Sequence, residues 1–146
     1  GQGAREEISA LTTMQGGRNF GWRFLEGTAP FNGTAPAGLT APVAEYSHGT
    51  GPRQGNSVTG GYVYRGPVTS LQNSYVFADF VRGNIWTVPS GLLSDSRTLA
   101  SSRFERRNED FAPDAGTINQ LVSFGEDSAG NLFIVDFDGE IFMVVP

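Results

Sequence analysis

The chain has 146 residues, a net charge of −5, and neither lysine nor cysteine, so every basic side chain is an arginine. Its length suits one domain with a real core; its acidity argues against a nucleic-acid or anionic-membrane partner. The lack of cysteine excludes disulfides and thiolate-bound metals without deciding the compartment.

Twenty glycines, eleven Phe, four Tyr and two Trp favour strands and turns over long amphipathic helices. No apolar run approaches the roughly 20 residues of a membrane span. The opening "GQGAREEIS" has no signal-peptide pattern, so any targeting segment is expected upstream of it.

In chain order, "REEISALTT" alternates loosely and leads to "GGRNFGWRFLEG", which reads as a Gly-rich turn followed by an aromatic strand. Residues 31–42, rich in Pro, Gly, Ala and Thr, read as a loop. "SVTGGYVYRG" follows, with Val58, Tyr62 and Tyr64 at the period of two expected of a strand. "NSYVFADFVRGNIWTVP" reads as a β-hairpin turning at Arg82-Gly83. "LLSDSRTLASSRFE" fits a short helix or an outer strand, and we favour the strand. "RRNEDFAPDAG" is a polar loop. "INQLVSFGEDSAG" then leads into a second hairpin, "GNLFIVDFDGEIFMVVP", turning at Asp138-Gly139. "FGEDSAG" lacks the spacing and terminal Glu of an EF-hand loop and reads as a hairpin turn.

The two hairpins echo each other, each ending its first strand in Asp-Phe: Asp79-Phe80 and Asp136-Phe137, 136 − 79 = 57 residues apart. Each is preceded by another strand. A strand triplet recurring at this distance predicts an all-β fold of radially repeated β-propeller blades, each about 40–50 residues plus insertions. A β-sandwich or barrel with two fortuitously similar hairpins remains the alternative on pattern alone. Trp22 and Trp86, both inside strand patterns, are expected to pack between sheets rather than to stack on sugars.

"REEI…GGRNFGWRFLEG", "SVTGGYVYRG", "YVFADFVRGNIW" and "SFGEDSAGNLFIVDFDGEIFMV", in this order, resemble the soluble quinoprotein glucose/aldose sugar dehydrogenases. That family includes sorbosone-dehydrogenase-like proteins and the propeller of hedgehog-interacting protein. The resemblance covers nearly the whole chain and is weakest over 31–56. It implies the C-terminal part of a six-bladed propeller: a half blade at about 1–27, a loop at about 28–45, a complete blade at about 46–105, and an incomplete last blade at about 106–146. The rest of the ring would come from the same parent, a companion chain or self-association. Such a protein is expected in the periplasm or secreted.

The resemblance also implies pyrroloquinoline quinone (PQQ) and calcium as cofactors and a sugar as substrate, with electrons passing to the quinone and on to an external acceptor. The family's catalytic-histidine motif would lie upstream of Gly1. This chain is therefore expected to supply no catalytic residue and to be inactive alone. Gly3 and Ala4 match the turn whose carbonyls coordinate the cofactor's calcium, although Ala4 stands where glucose-specific members have proline. Glu7 would give a carboxylate to a second, structural calcium, with backbone carbonyls from Phe20 and Glu26; otherwise Glu7 is a solvated strand carboxylate. Arg82 would meet the quinone's carboxylates, or else be solvated at its turn. His48, the only histidine, would touch cofactor or substrate, or else be an imidazole bonded locally. The rival reading is a non-catalytic propeller that keeps a structural calcium and binds a protein or glycan.

Overall fold

A computed structural model describes residues 1–94 and 96–146. The chain is nearly all β, in several small and mainly antiparallel sheets. Among the described residues no helix is long and apolar enough to cross a membrane; only short 3-10 turns interrupt the strands.

The central sheet is a four-stranded meander in chain order: β5 (Val58–Val63), β6 (Ser74–Asp79), β7 (Ile85–Pro89) and β9 (Glu105–Arg106). Strands β6 and β7 pair antiparallel with Phe77 opposite Trp86 and Ala78 opposite Ile85. Both read as unbroken apolar runs because the sheet is covered on both faces. On one side Val76, Ala78 and Ile85 pack against Leu121, Phe124, Leu132 and Ile134. On the other, Phe77, Trp86 and Val88 pack against Ala44, Tyr46, Leu99 and Phe104. Phe77 meets Trp86 at 5.4 Å between ring centroids and Phe104 edge-on at 5.1 Å.

The flanking sheets follow from these two clusters. One joins β1 (Arg5–Ile8), β4 (Ala44–Ser47) and β8 (Leu99–Ala100). The other joins β10 (Leu121–Glu126), β11 (Leu132–Asp136) and β12 (Ile141–Met143). Three sheets thus lie face to face in chain order. A small hairpin, β2 (Leu25–Glu26) with β3 (Ala29–Pro30), sits beside β1.

Several local expectations need correction. The complete sheet runs from 58 to 106, not from about 46: residues 44–47 pair with β1 instead. The stretch 28–45 holds β3 and the start of β4, so it is not all loop. "NFGW" is irregular, with the Gly21 N–H capped by Asn19 Oδ1 at 2.9 Å, and only Leu25–Glu26 extends as strand. Trp22 is 57% exposed and stacks on Phe31 at 5.1 Å, so it packs between no sheets. Trp86 is fully buried, as expected. "LLSDSRTLASSRFE" is divided: Leu99–Ala100 adds a parallel strand to the neighbouring sheet, and the outer strand of the meander begins only at Glu105.

The period of two through Val58, Tyr62 and Tyr64 is broken by a register shift between Thr59 and Tyr62. Val58 packs with the Trp86 cluster, Tyr64 lies in the opposite cluster, and Tyr62 is exposed. The cause is a close approach: a Cβ at Gly61 would overlap the Val76 carbonyl, so the strand bulges where two glycines permit it.

Candidate functional site

The echoed hairpins are the same local structure. In the first, Phe80 N–H donates to the Ser57 carbonyl at 2.8 Å; in the second, Phe137 N–H donates to that of Gln120 at 3.0 Å. Each Asp reaches back to the start of its sheet. Asp79 Oδ2 accepts from Asn56 N–H (2.6 Å) and Ser57 N–H (2.7 Å). Asp136 Oδ2 accepts from Asn119 N–H (3.0 Å) and Gln120 N–H (2.9 Å). A buried carboxylate thereby satisfies two backbone donors that would otherwise lack partners.

Around Asp79 this device widens into a network. Tyr46 Oη donates to Asp79 Oδ2 at 2.9 Å, and Arg82 N–H to Asp79 Oδ1 at 2.7 Å. Burial, then the Asp79 charge and hydrogen bond, push the Tyr46 phenol far above its ordinary value, so it serves as a donor and not as a base. The Arg82 side chain is exposed, but its Nε–H donates to the Gly49 carbonyl (3.2 Å) and Asn56 Oδ1 (3.1 Å). His48 bonds Glu6 Oε1 through Nε2 at 2.8 Å, and Glu6 Oε2 accepts Val58 N–H at 3.1 Å. Loop 48–56 is further held by Trp86 Nε1–H on the Pro52 carbonyl and Asn84 Nδ2–H on that of Gln54.

His48 and Arg82, far apart in sequence, therefore meet on one loop. The 3–4 turn reaches it too, because His48 N–H donates to the Ala4 carbonyl at 2.8 Å. That bond takes one of the two lone pairs of the carbonyl at the position expected to ligate the cofactor's calcium. Gly3 lies in the same turn, which Glu26 holds in an unforeseen way. Its side-chain Oε1 accepts N–H from Gln2 (2.6 Å), Gly3 (2.6 Å), Ala4 (2.8 Å) and Arg5 (3.1 Å). Burial alone would raise the Glu26 pKa and is the largest single influence, but the four donors together lower it from 4.5 to about 2. Glu7 Oε2 is buried without a hydrogen-bond partner. Phe20 lies in the irregular segment before β2, outside this contact set.

A second acidic group lies on the β11–β12 turn. One carboxylate oxygen from each of Asp136, Asp138 and Glu140 lies within 4.8 Å of the others. Burial raises the Asp136 pKa, yet hydrogen bonds from Gln120 and Asn119 N–H and from the Asp138 side chain and N–H bring it below the ordinary value. Burial, then the Asp138 charge, hold Glu140 above its own. The networks around Glu6, Tyr46 and Asp79 escaped sequence reasoning, which marked Asp79 only as a hairpin landmark. The D-x-D-x-E spacing of "DFDGE" was the available signal for the second group.

No protein-family model matches the chain, and no solved structure matches it. It is similar along its full length to two curated proteins of Arabidopsis thaliana: "HIPL1 protein", 29% identical over 166 aligned positions, and "HIPL2 protein", 26% identical over 167. The chain spans 24% of the length of either relative.

Proposed function

We propose that this chain is a segment of a six-bladed β-propeller of the soluble quinoprotein type, in which the intact protein oxidises an aldose or related sugar. The observation that carries the reading is the convergence of Arg82, His48 and the Gly3–Ala4 turn on one end of two adjoining sheets. The stacking of successive sheets around a chain-order meander supports the propeller itself.

PQQ, when bound, would take up the hydride lost by the sugar. Of the residues here, Arg82 fits it: its Nε–H anchors the guanidinium to loop 48–56, leaving the outer nitrogens to meet a carboxylate. His48 fits less well as a direct contact, since Glu6 holds Nε2 and turns the ring to a positioning role. Glu7, with its buried unpartnered oxygen, suits a structural calcium. The base that takes the sugar's proton would come from elsewhere in the protein, so the 146-residue chain alone should not turn over.

A non-catalytic propeller that binds a protein or glycan is the second reading. It is favoured by the internal commitment of Glu6, His48, Tyr46 and Asp79 to one another and to backbone. Dye-linked oxidation of aldoses by the full-length protein, supplied with quinone and calcium, separates the two. Turnover that falls when Arg82 becomes Ala, with weaker quinone binding, supports the enzyme. Absence of both quinone binding and turnover supports the binder.

A further inference from the structure

The repeat within the chain supplies its own control. Asp79 and Asp136 end β6 and β11, and both give Oδ2 to two consecutive backbone N–H groups. Their Oδ1 atoms differ. That of Asp79 accepts Arg82 N–H at 2.7 Å, whereas that of Asp136 is buried with no partner, in a residue only 2% exposed.

The turn explains the difference. Five residues, 80–84, separate β6 from β7, and four, 137–140, separate β11 from β12. In the longer turn Gly83 N–H takes the Asp79 carbonyl, freeing Arg82 N–H for the side chain. In the shorter one Gly139 N–H, three residues on, already bonds the Asp136 carbonyl at 3.3 Å. The Asp138 N–H, the donor that remains in the turn, bears on the Asp136 carboxylate without a well-formed bond to Oδ1.

Beside Asp136 stand the carboxyl groups of Asp138 and Glu140. Its Oδ2 accepts from Asn119 and Gln120, and one carboxylate oxygen of Asp136 lies within 4.8 Å of one from each of Asp138 and Glu140. Loop 112–119 passes beside Glu140: a Cβ at Gly116 would strike its Oε1. A buried oxygen without a well-formed hydrogen bond, beside two further carboxyl groups, is relieved by a shared proton or by a cation that joins them.

We propose that Asp136, Asp138 and Glu140 form a divalent-cation site, with calcium the fitting ion. The donors are all hard carboxylate oxygens with neither nitrogen nor sulfur, which disfavours zinc and copper. Calcium takes about six to eight oxygens in flexible geometry, so water on the exposed Asp138 side completes the shell. The ion would pin the end of the β11–β12 hairpin to loop 112–119. This site is separate from the one expected at Glu7, and it does not depend on the sugar-oxidising reading.

The test is calorimetric titration of calcium chloride into chelator-stripped protein, for the parent, Asp138→Asn/Glu140→Gln and Glu7→Gln. Binding in the double variant should be lost or weakened by roughly tenfold or more, the scale seen when a metal site's supporting groups are removed. Glu7→Gln should retain that step. The single change Asp138→Asn, at an exposed turn position, serves as the second variant should the double one fold poorly by near-ultraviolet circular dichroism. A parent that binds no calcium up to millimolar concentration overturns the proposal. So does a folded variant that binds with the parent's stoichiometry and affinity.

Discussion

Asp79 carries more of the molecule's local order than any basic group near it. Its two oxygens collect three backbone N–H donors and one phenol, and the residue is completely buried. Tyr46→Phe removes only the phenol donor and leaves the ring packed against Trp86. The expected loss is about 1.5–3 kcal/mol, the range for a hydrogen bond to a charged group, measured as a lowered urea midpoint at unchanged slope. Glu26 makes a pH-dependent counterpart. Its folded pKa, about 2, lies below its ordinary 4.5, so its contribution is fully present above about pH 4.5 and is lost as pH falls through about 2. The stability gap between the parent and Glu26→Gln should therefore be wide at pH 6 and narrow steadily below pH 4. A gap that stays constant from pH 6 to pH 2 would show that the carboxylate is not holding the 2–5 backbone.

At the scale of elements, the bulge in β5 makes a matched pair of substitutions. Gly60 and Gly61 are neighbours in one strand, yet a Cβ on Gly60 finds nothing nearer than Tyr75 Oη at 3.6 Å, while one on Gly61 overlaps the Val76 carbonyl. Gly61→Ala should cost about 1–3 kcal/mol, the scale of overpacking against atoms that cannot yield. Gly60→Ala should be near neutral in the same thermal melt. The bulge also marks where sequence reading stopped. Alternation through "SVTGGYVY" implies one face, and nothing local in those letters announces a carbonyl of another strand. The hairpins were legible because each couples a two-sided apolar run to a turn with a positive-φ glycine, Gly83 or Gly139. The strand expected at "NFGW" was not, because its aromatic residues lie on an irregular segment where Trp22, largely exposed, stacks on Phe31. In the hydrogen-bond network, the Glu6–His48 pair links residues 42 apart through sheet pairing, which no spacing rule encodes.

Over the whole molecule, the two outer faces of the sheet stack are unlike. That of β1 and β4 is polar: Arg5 pairs with Glu45, and Thr28 of the β2–β3 turn bonds the same carboxylate. On β11 and β12, by contrast, Phe133 lies opposite Met143 and Val135 opposite Ile141. Ile141 is 66% exposed and Met143 51%, with Val145 also exposed beyond them. Val76 and Trp86, by contrast, are sealed between sheets. A contiguous apolar face of this kind is uncommon on a soluble monomer, and a further apolar sheet, from the rest of a ring or from another copy, would cover it. The 146-residue chain in isolation should therefore self-associate at micromolar concentration and bind a hydrophobic dye. Met143→Lys with Ile141→Thr should reduce both effects while leaving the two buried clusters intact, since neither side chain belongs to them. Sedimentation is the check. A folded parent at 15.6 kDa that binds no dye would mean that this face needs no partner.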